Sequence, residues 1–247
     1  MWDMARAHLK PREVHVSIGR RQALGILGAG AWSAFGAPLA TPPLRFTMLD
    51  HLEFFVSDVQ RSAAFYARVF GNTVLKNNRT TRRYVKLGVA YLAIDAGQTI
   101  AVDHICADIP DFKIADAHQY LTDRGIAYRD YPSGRDLSIA DPDGGVRLQL
   151  ASDNGWNLLL GGTAAPETVA VGGAPIFQPS GIDHILLNVP DPGKSAAFYE
   201  KVLGPVTRRN NNRTWFQTGT SRIGLLKTPE GQRAGVNHFC VSASAFD

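Results

Sequence analysis

The sequence predicts an α+β fold built from one β-α-β-β-β module that starts four times. Three observations carry this. Residues 49–71, "LDHLEFFVSDVQRSAAFYARVFG", and residues 182–204, "IDHILLNVPDPGKSAAFYEKVLG", align without a gap at 11 identical positions. A histidine recurs at one register in four apolar stretches, as His51, His104, His184 and His238. Between these stretches the hydrophobic period switches from that of a strand to that of an amphipathic helix and back.

Residues 17–43 read "SIGRRQALGILGAGAWSAFGAPLATPP", in which Arg20-Arg21 precede a mildly apolar run rich in Gly and Ala. Charge, a modest apolar stretch and small residues before a boundary make an export signal. The paired arginines resemble a twin-arginine signal. Residues 1–46 are therefore expected to be a leader, and the mature protein to be exported, to the periplasm. No other stretch approaches the roughly 18–20 apolar residues of a spanning helix, so the mature chain is expected to carry no membrane span.

Residues 47–151 read as two modules. "LDHLEFFVSD" is a strand that ends in a helix N-cap, Asp58. "VQRSAAFYARVFG" places Ala63, Phe65, Tyr66, Val69 and Phe70 at helical spacing and closes on Gly71. "NTVLKNN", "RRYVKLG" and "AYLAIDAG" are short strands separated by Asn and Gly turns. The second module repeats the plan with "AVDHICADIPD", the helix "KIADAHQYLTDRG", and strands in "IAYRDYP", "DLSIADPDG" and "VRLQLAS". Residues 152–179, rich in Gly, Ala and Pro, read as a linker. A second domain, residues 180–247, opens with "GIDHILLNVPD" and a helix, and restarts at "GVNHFCVSASAFD". The copy extends past the helix: "NNRT" at 77–80 recurs at 211–214, and "KLG" at 86–88 matches "QTG" at 217–219.

The repeated Asp-His strand, the "AAFY" helix ending in "FG" or "LG", and the "DPDG" turn before a last strand resemble the vicinal oxygen chelate superfamily. That superfamily contains glyoxalases, bleomycin and fosfomycin resistance proteins and extradiol ring-cleaving dioxygenases. The resemblance implies that modules pair, and that their curved sheets form a cup around one divalent metal. Fe(II) or Mn(II) is favoured, with Zn(II) or Ni(II) as alternatives. It also implies that the opening-strand histidines are metal ligands: His184 and His238 in the second cup, His51 and His104 in the first.

A carboxylate on a module's last strand usually completes such a site. At that position this chain offers Ala93, Gln149 and Gly224. His51, His104 and Gln149 thus form a crippled first-cup triad, expected to hold metal weakly. A Gln149→Glu exchange is expected to strengthen it. The same spacing from His238 runs beyond Asp247, so the fourth module is expected to be truncated here. The intact protein would continue for roughly 40–60 residues and supply a glutamate to a two-His-one-carboxylate set.

Side chains two residues after each histidine share its face: Glu53, Cys106, Leu186 and Cys240. Glu53 reads as a rescuing ligand or base, or equally as a charge at a solvated edge. The cysteines read as small buried hydrophobes or soft ligands. Tyr84 and Tyr91 in the first cup, and Trp215 in the second, read as core or as substrate platform. Arg79 and Arg213 of the repeated "NNRT" read as turn residues or as partners of an anionic substrate.

A net charge of +4, much of it in the leader, leaves no nucleic-acid footprint. Two cysteines exclude a disulfide framework. No phosphate loop, nucleophile elbow or Cys-x-x-Cys pair occurs. The expected partner is a small molecule, and a homo-oligomer is compatible with the sequence. The resemblance implies a metal-dependent dioxygenase of extradiol type, or a related lyase, acting on a small oxygen-chelating substrate. The alternative is a non-catalytic small-molecule binder on the same fold.

Overall fold

A computed structural model describes residues 44–71, 73–152, 155–169 and 174–243. The leader with Arg20-Arg21 lies outside the described residues. The first module is β1 (Met48–Val56), α1 (Val59–Phe70), β2 (Val74–Asn77), β3 (Arg83–Leu87) and β4 (Ala90–Ala96). The second is β5 (Ala101–Ile109), α2 (Ile114–Asp123), β6 (Tyr128–Asp130), β7 (Leu137–Ala140) and β8 (Arg147–Ser152). A short helix α3 (Gly155–Leu158), a wide turn over residues 159–163 and β9 (Ala164–Glu167) follow. The third module is β10 (Pro179–Val189), α4 (Pro192–Leu203), β11 (Arg208–Asn210), β12 (Arg213–Thr218) and β13 (Ser221–Lys227), and β14 (Gly235–Ala243) opens the fourth.

Local chemistry sets the helix starts. The Asp58 carboxylate accepts from Arg61 N at 2.9 Å, and the Asp191 carboxylate accepts from Gly193 N and Lys194 N at 2.9 and 3.1 Å. Each satisfies backbone donors that an α-helix leaves open. Pro192 stands in the first turn of α4, where its missing N–H costs nothing.

The first sheet runs β6-β7-β8-β5-β1-β4-β3-β2-β9 and the second β11-β12-β13-β10-β14. Within a module the opening strand lies parallel to the last one, as β1 to β4, β5 to β8 and β10 to β13. Between modules the two opening strands meet antiparallel, β1 with β5 and β10 with β14. This seam is what brings residues of two modules side by side.

The period-two alternation of each strand then sorts the faces. Leu52, Leu92, Ile94, Ile105, Ala107, Leu148 and Leu150 point to one face, where Ala63 and Ala67 of α1 and Ala117 and Leu121 of α2 cover them. Ile185, Leu187, Phe216, Ile223 and Leu225 do the same beneath Ala196, Tyr199 and Val202 of α4. One buried core thus runs through both halves. Histidines and their neighbours take the opposite, concave face.

The two halves clasp each other reciprocally. Val89 N, in the β3–β4 turn, donates to Ser180 O at 3.3 Å, and Thr220 N, in the β12–β13 turn, donates to Thr47 O at 2.8 Å. Gly88 and Gly219 sit in these turns with φ of 66° and 63°. A Cβ at either would lie 2.4 Å from Ser180 backbone or 1.8 Å from Thr47 backbone, so only glycine fits. Tyr120 of α2 donates to Lys201 O at 2.9 Å, and Asp143 accepts from Asp191 N at 2.9 Å, tying α2 and the "DPDG" turn to α4.

Residues 152–179 are more than a linker. β9 adds an edge strand to β2, and Glu167 pairs with Arg83. Trp156 and Leu159 pack with Leu75, Tyr84, Tyr91, Ala93 and Ala164 in a second buried cluster inside the first cup. The stretch from Gly155 to Glu167 works as a plug whose largest buried side chain is Trp156. Trp156→Ala should therefore cost about 3 kcal/mol in urea unfolding, far more than a substitution in an unattached linker.

Candidate metal centre

In each seam two histidines stand on neighbouring strands with Nε2 facing Nε2. His51 and His104 approach to 3.2 Å, and so do His184 and His238. His51 and His104 are buried, whereas His238 is exposed on the outer strand of its sheet.

The other ring nitrogen of each of these four histidines is held by the residue just before it. Nδ1 lies 2.7 Å from Asp50 Oδ2 in His51, 2.8 Å from Asp103 Oδ2 in His104, 2.5 Å from Asp183 Oδ2 in His184, and 2.7 Å from Asn237 Oδ1 in His238. Adjacent residues of a regular strand point to opposite faces, so these contacts need an explanation. The register supplies it. Leu49 pairs with Ala107 and His51 with Cys106, leaving Asp50 as an extra residue; Asp103, Asp183 and Asn237 are extra in the same way. Each is a β-bulge, which re-aims a side chain next to a site. The sequence shows the Asp-His pair, but the alternation rule assigns its two members to opposite faces.

An ionised carboxylate only accepts, so each Nδ1 facing one carries the proton. Asn237 is oriented in turn, its Nδ2 donating to Asn188 Oδ1 at 3.1 Å. The bond from His104 holds Asp103 below the usual carboxylate range against burial, and the Arg147 guanidinium helps. Burial opposes ionisation of Asp183, but bonds from His184 and Arg222 hold it low. Burial lowers the proton affinity of His104; partial desolvation of one side of the exposed His238 ring, together with the neighbouring His184, lowers that of His238. With each Nδ1 acting as the donor, the two Nε2 atoms of a pair meet as acceptors. Two acceptors cannot bond, and each orphaned one costs about 1–3 kcal/mol when buried. A proton or a cation between them removes that cost. Two nitrogens each about 2.1 Å from one ion would lie about 3.0–3.4 Å apart, depending on the coordination angle, and the observed 3.2 Å separations fall in that range.

The cups differ around these pairs. The first encloses a 330 Å³ cavity lined by His51, Tyr91, Cys106, Asp136, Gln149 and Leu159. Tyr91 stacks on His51 at 4.5 Å. Gly155 at the start of α3 presses on the bulge, since a Cβ there would lie 2.5 Å from Asp50 Oδ2. Gln149 donates to Asp136 Oδ2 at 2.6 Å. A glutamate at 149 would face a second carboxylate, so the geometry opposes the expected gain from Gln149→Glu. Glu53 is buried and not at a solvated edge. It approaches His104 from the Nδ1 side, at 3.8 Å, and is bound by Arg82 at 2.6 Å. Burial raises its carboxyl above the usual range despite Arg82. Tyr84 is core, accepting from Asn77 Nδ2 at 2.9 Å. Arg79 lies on an exposed turn around Asn77 Oδ1 and lines neither cup cavity.

The second cup holds a larger cavity, 520 Å³, lined by His184, His238, Trp215, Asn210, Gln217 and three arginines, Arg208, Arg213 and Arg222. Trp215 donates to Asn210 Oδ1 at 2.8 Å and lies over Gly224, where a Cβ would meet its ring at 2.6 Å. Gly224 therefore serves the tryptophan and offers no ligand. Cys106 pairs across the seam with His51 and Cys240 with His184. One ligand atom each from Asp50, His51 and Cys106 falls within 4.8 Å of the others, as for Asp183, His184 and Cys240. Burial pushes the Cys106 thiol well up, so it stays protonated and is a poor ligand. In the folded protein Cys106 should resist a disulfide reagent for as long as the fold holds and react at once in urea, as thiol titration would record.

The profile of the Glyoxalase/Bleomycin resistance protein/Dioxygenase superfamily matches residues 48–105 and 181–247. No curated protein sequence matches the chain. Among solved structures it is similar to a xylose isomerase-like TIM barrel/4-hydroxyphenylpyruvate dioxygenase fusion protein, with a TM-score of 0.61 and 16% identity. It is also similar to the Mn(II)-bound glyoxalase from Novosphingobium aromaticivorans, at 0.57 and 19%, and to BphC, a halotolerant catechol dioxygenase, at 0.58 and 16%. These alignments cover 81%, 79% and 81% of this chain, which spans 37%, 65% and 71% of those proteins. At such identities the likeness shows the fold. With paired β-α-β-β-β modules, seam histidines and a matching profile over half its length, the chain belongs to the Glyoxalase/Bleomycin resistance protein/Dioxygenase superfamily.

Proposed function

We propose that the chain is a divalent-metal enzyme whose working site is the second cup, with His184 and His238 as its protein nitrogen ligands. The observation that carries this is the pair of Nε2 atoms 3.2 Å apart whose Nδ1 atoms are both held by oriented acceptors. Such outer contacts fix the tautomer and ring direction of ligating histidines. Imidazole suits Fe(II), Mn(II), Zn(II) and Ni(II) alike. A divalent ion held by His184 and His238 would supply Lewis acidity to a small oxygen-bearing substrate, and as Fe(II) or Mn(II) would also supply redox chemistry.

The residues of the chain do the rest. Asp183 and Asn237 keep the rings aimed, and the cavity gives a small molecule access to both nitrogens. The plugged first cup supports the second as the working one. Extradiol ring cleavage is the reading we favour, with a glyoxalase-like lyase using the same two-oxygen chelation. A non-catalytic binder is the second reading. It is favoured by the lack of a carboxylate among the described residues lining the second cavity.

Metal analysis after dialysis, with oxygen uptake on catechols, tests this. One equivalent of transition metal should be retained, and His184→Ala or His238→Ala should release it. Oxygen consumption on catechols supports the dioxygenase; metal without oxygen consumption leaves the lyase; no metal favours the binder. Asp183→Asn should weaken metal binding by about 10–100-fold without unfolding the chain, measured by titration with Mn(II).

A further inference from the structure

We infer that the second cup takes a substrate bearing a carboxylate, which pairs with Arg213. This rests on the second cup being the substrate site. The argument is an internal comparison of the two halves.

Strand register, not the repeated "NNRT", defines which residues correspond. Tyr84 faces Ala93 in the first half, and Trp215 faces Gly224 in the second. Two residues earlier on the same face stand Arg82 and Arg213. The counterpart of Arg213 is therefore Arg82, three positions beyond the Arg79 that the repeat suggests.

Arg82 is fully engaged within the chain. It donates to Glu53 Oε1 at 2.6 Å and to Asp95 Oδ2 from two nitrogens at 3.0 and 2.8 Å. Glu53 pairs with Ala93 and His104, and Leu186 pairs with Gly224 and His238. Leu186 thus occupies the place of Glu53. Asp95 pairs with Phe55, and Leu226 pairs with Asn188. Leu226 occupies the place of Asp95 and also faces Arg213 directly. Both carboxylates that neutralise the arginine in the first cup are leucines in the second.

Among the described residues no carboxylate pairs with Arg213. Arg213 Nε is buried and has no hydrogen-bond partner among the described residues. Of the other arginines lining the cavity, Arg222 is taken by Asp183 at 2.6 Å, and Asp183 already holds His184. Arg208 adds positive charge at the cavity wall. Burying an unpaired charge is costly, and a guanidinium fork is shaped for a carboxylate. In the first half the chain itself supplies that carboxylate. In the second, Arg213 lines the same cavity as His184 and His238, where a bound molecule can supply it.

Matched probes of equal size test this: 3,4-dihydroxybenzoate and 4-methylcatechol, titrated calorimetrically into the whole chain as purified and after Mn(II) loading. The carboxylated probe should bind at least about tenfold more tightly, the value of one charge-assisted bond. Arg213→Met should erase that margin and Arg213→Lys should keep part of it. Leu226→Asp, which rebuilds the internal partner seen in the first half, should erase it with Arg213 still present. Equal binding of the two probes to the wild-type protein, or a margin that survives both Arg213→Met and Leu226→Asp, would overturn the inference. Its failure is separable from that of the metal reading: a margin with no retained metal upholds the carboxylate site alone, and retained metal with no margin upholds the metal site alone.

Discussion

The concave face of this protein depends on one contact made four times, a histidine Nδ1 bonded to the side chain of the residue before it. Each contact exists because an opening strand carries one residue too many. The bulge bends the strand and turns the preceding side chain onto the histidine's face. Without it the imidazole would be free to rotate, and its lone pair would have no fixed direction. With it, two rings from two modules aim at one point across an antiparallel seam. Pairing of opening strands, sheet curvature and ligand geometry are thus consequences of one local irregularity.

The two cups show what a duplicated scaffold does with identical starting geometry. In the first, Trp156 and Leu159 fill the hollow, Arg82 is neutralised by Glu53 and Asp95, and Gln149 is tied to Asp136. Every polar group named there has an internal partner. In the second, Trp215 over Gly224 leaves a larger hollow, and the acidic positions are leucines. Packing and charge pairing move together: the cup that is plugged is also the one whose charges are satisfied.

Much of the fold was legible because its signals are local. Apolar alternation, the Asp58 and Asp191 caps and the closing Gly71 each act within one turn of chain, and the elements stand where these residues put them. The four histidines were legible through repetition. The residues holding them were not, although each lies next to a histidine, because a bulge needs no special residue and contradicts simple alternation. Arg79 drew attention because "NNRT" is repeated, yet identity in a turn says nothing about register when the loops differ in length. Trp156 was hidden for a different reason: a plug is specified by the cavity it fills, which belongs to distant strands.

The reciprocal clasp of the halves has a further consequence. Turn Gly88–Val89 grips the start of β10, and turn Gly219–Thr220 grips the start of β1, so each half gives and receives the same contact. An interface of this kind is isologous, the pattern of a two-fold dimer, and it closes on itself. Here the two subunits are one polypeptide, so the local concentration of the partner surface is set by the length of the connecting segment and not by how much protein is present. A pairing that separate chains would have to achieve by association is built in at synthesis. With the symmetry no longer enforced by identical sequences, the two hollows could be lined and filled to different extents.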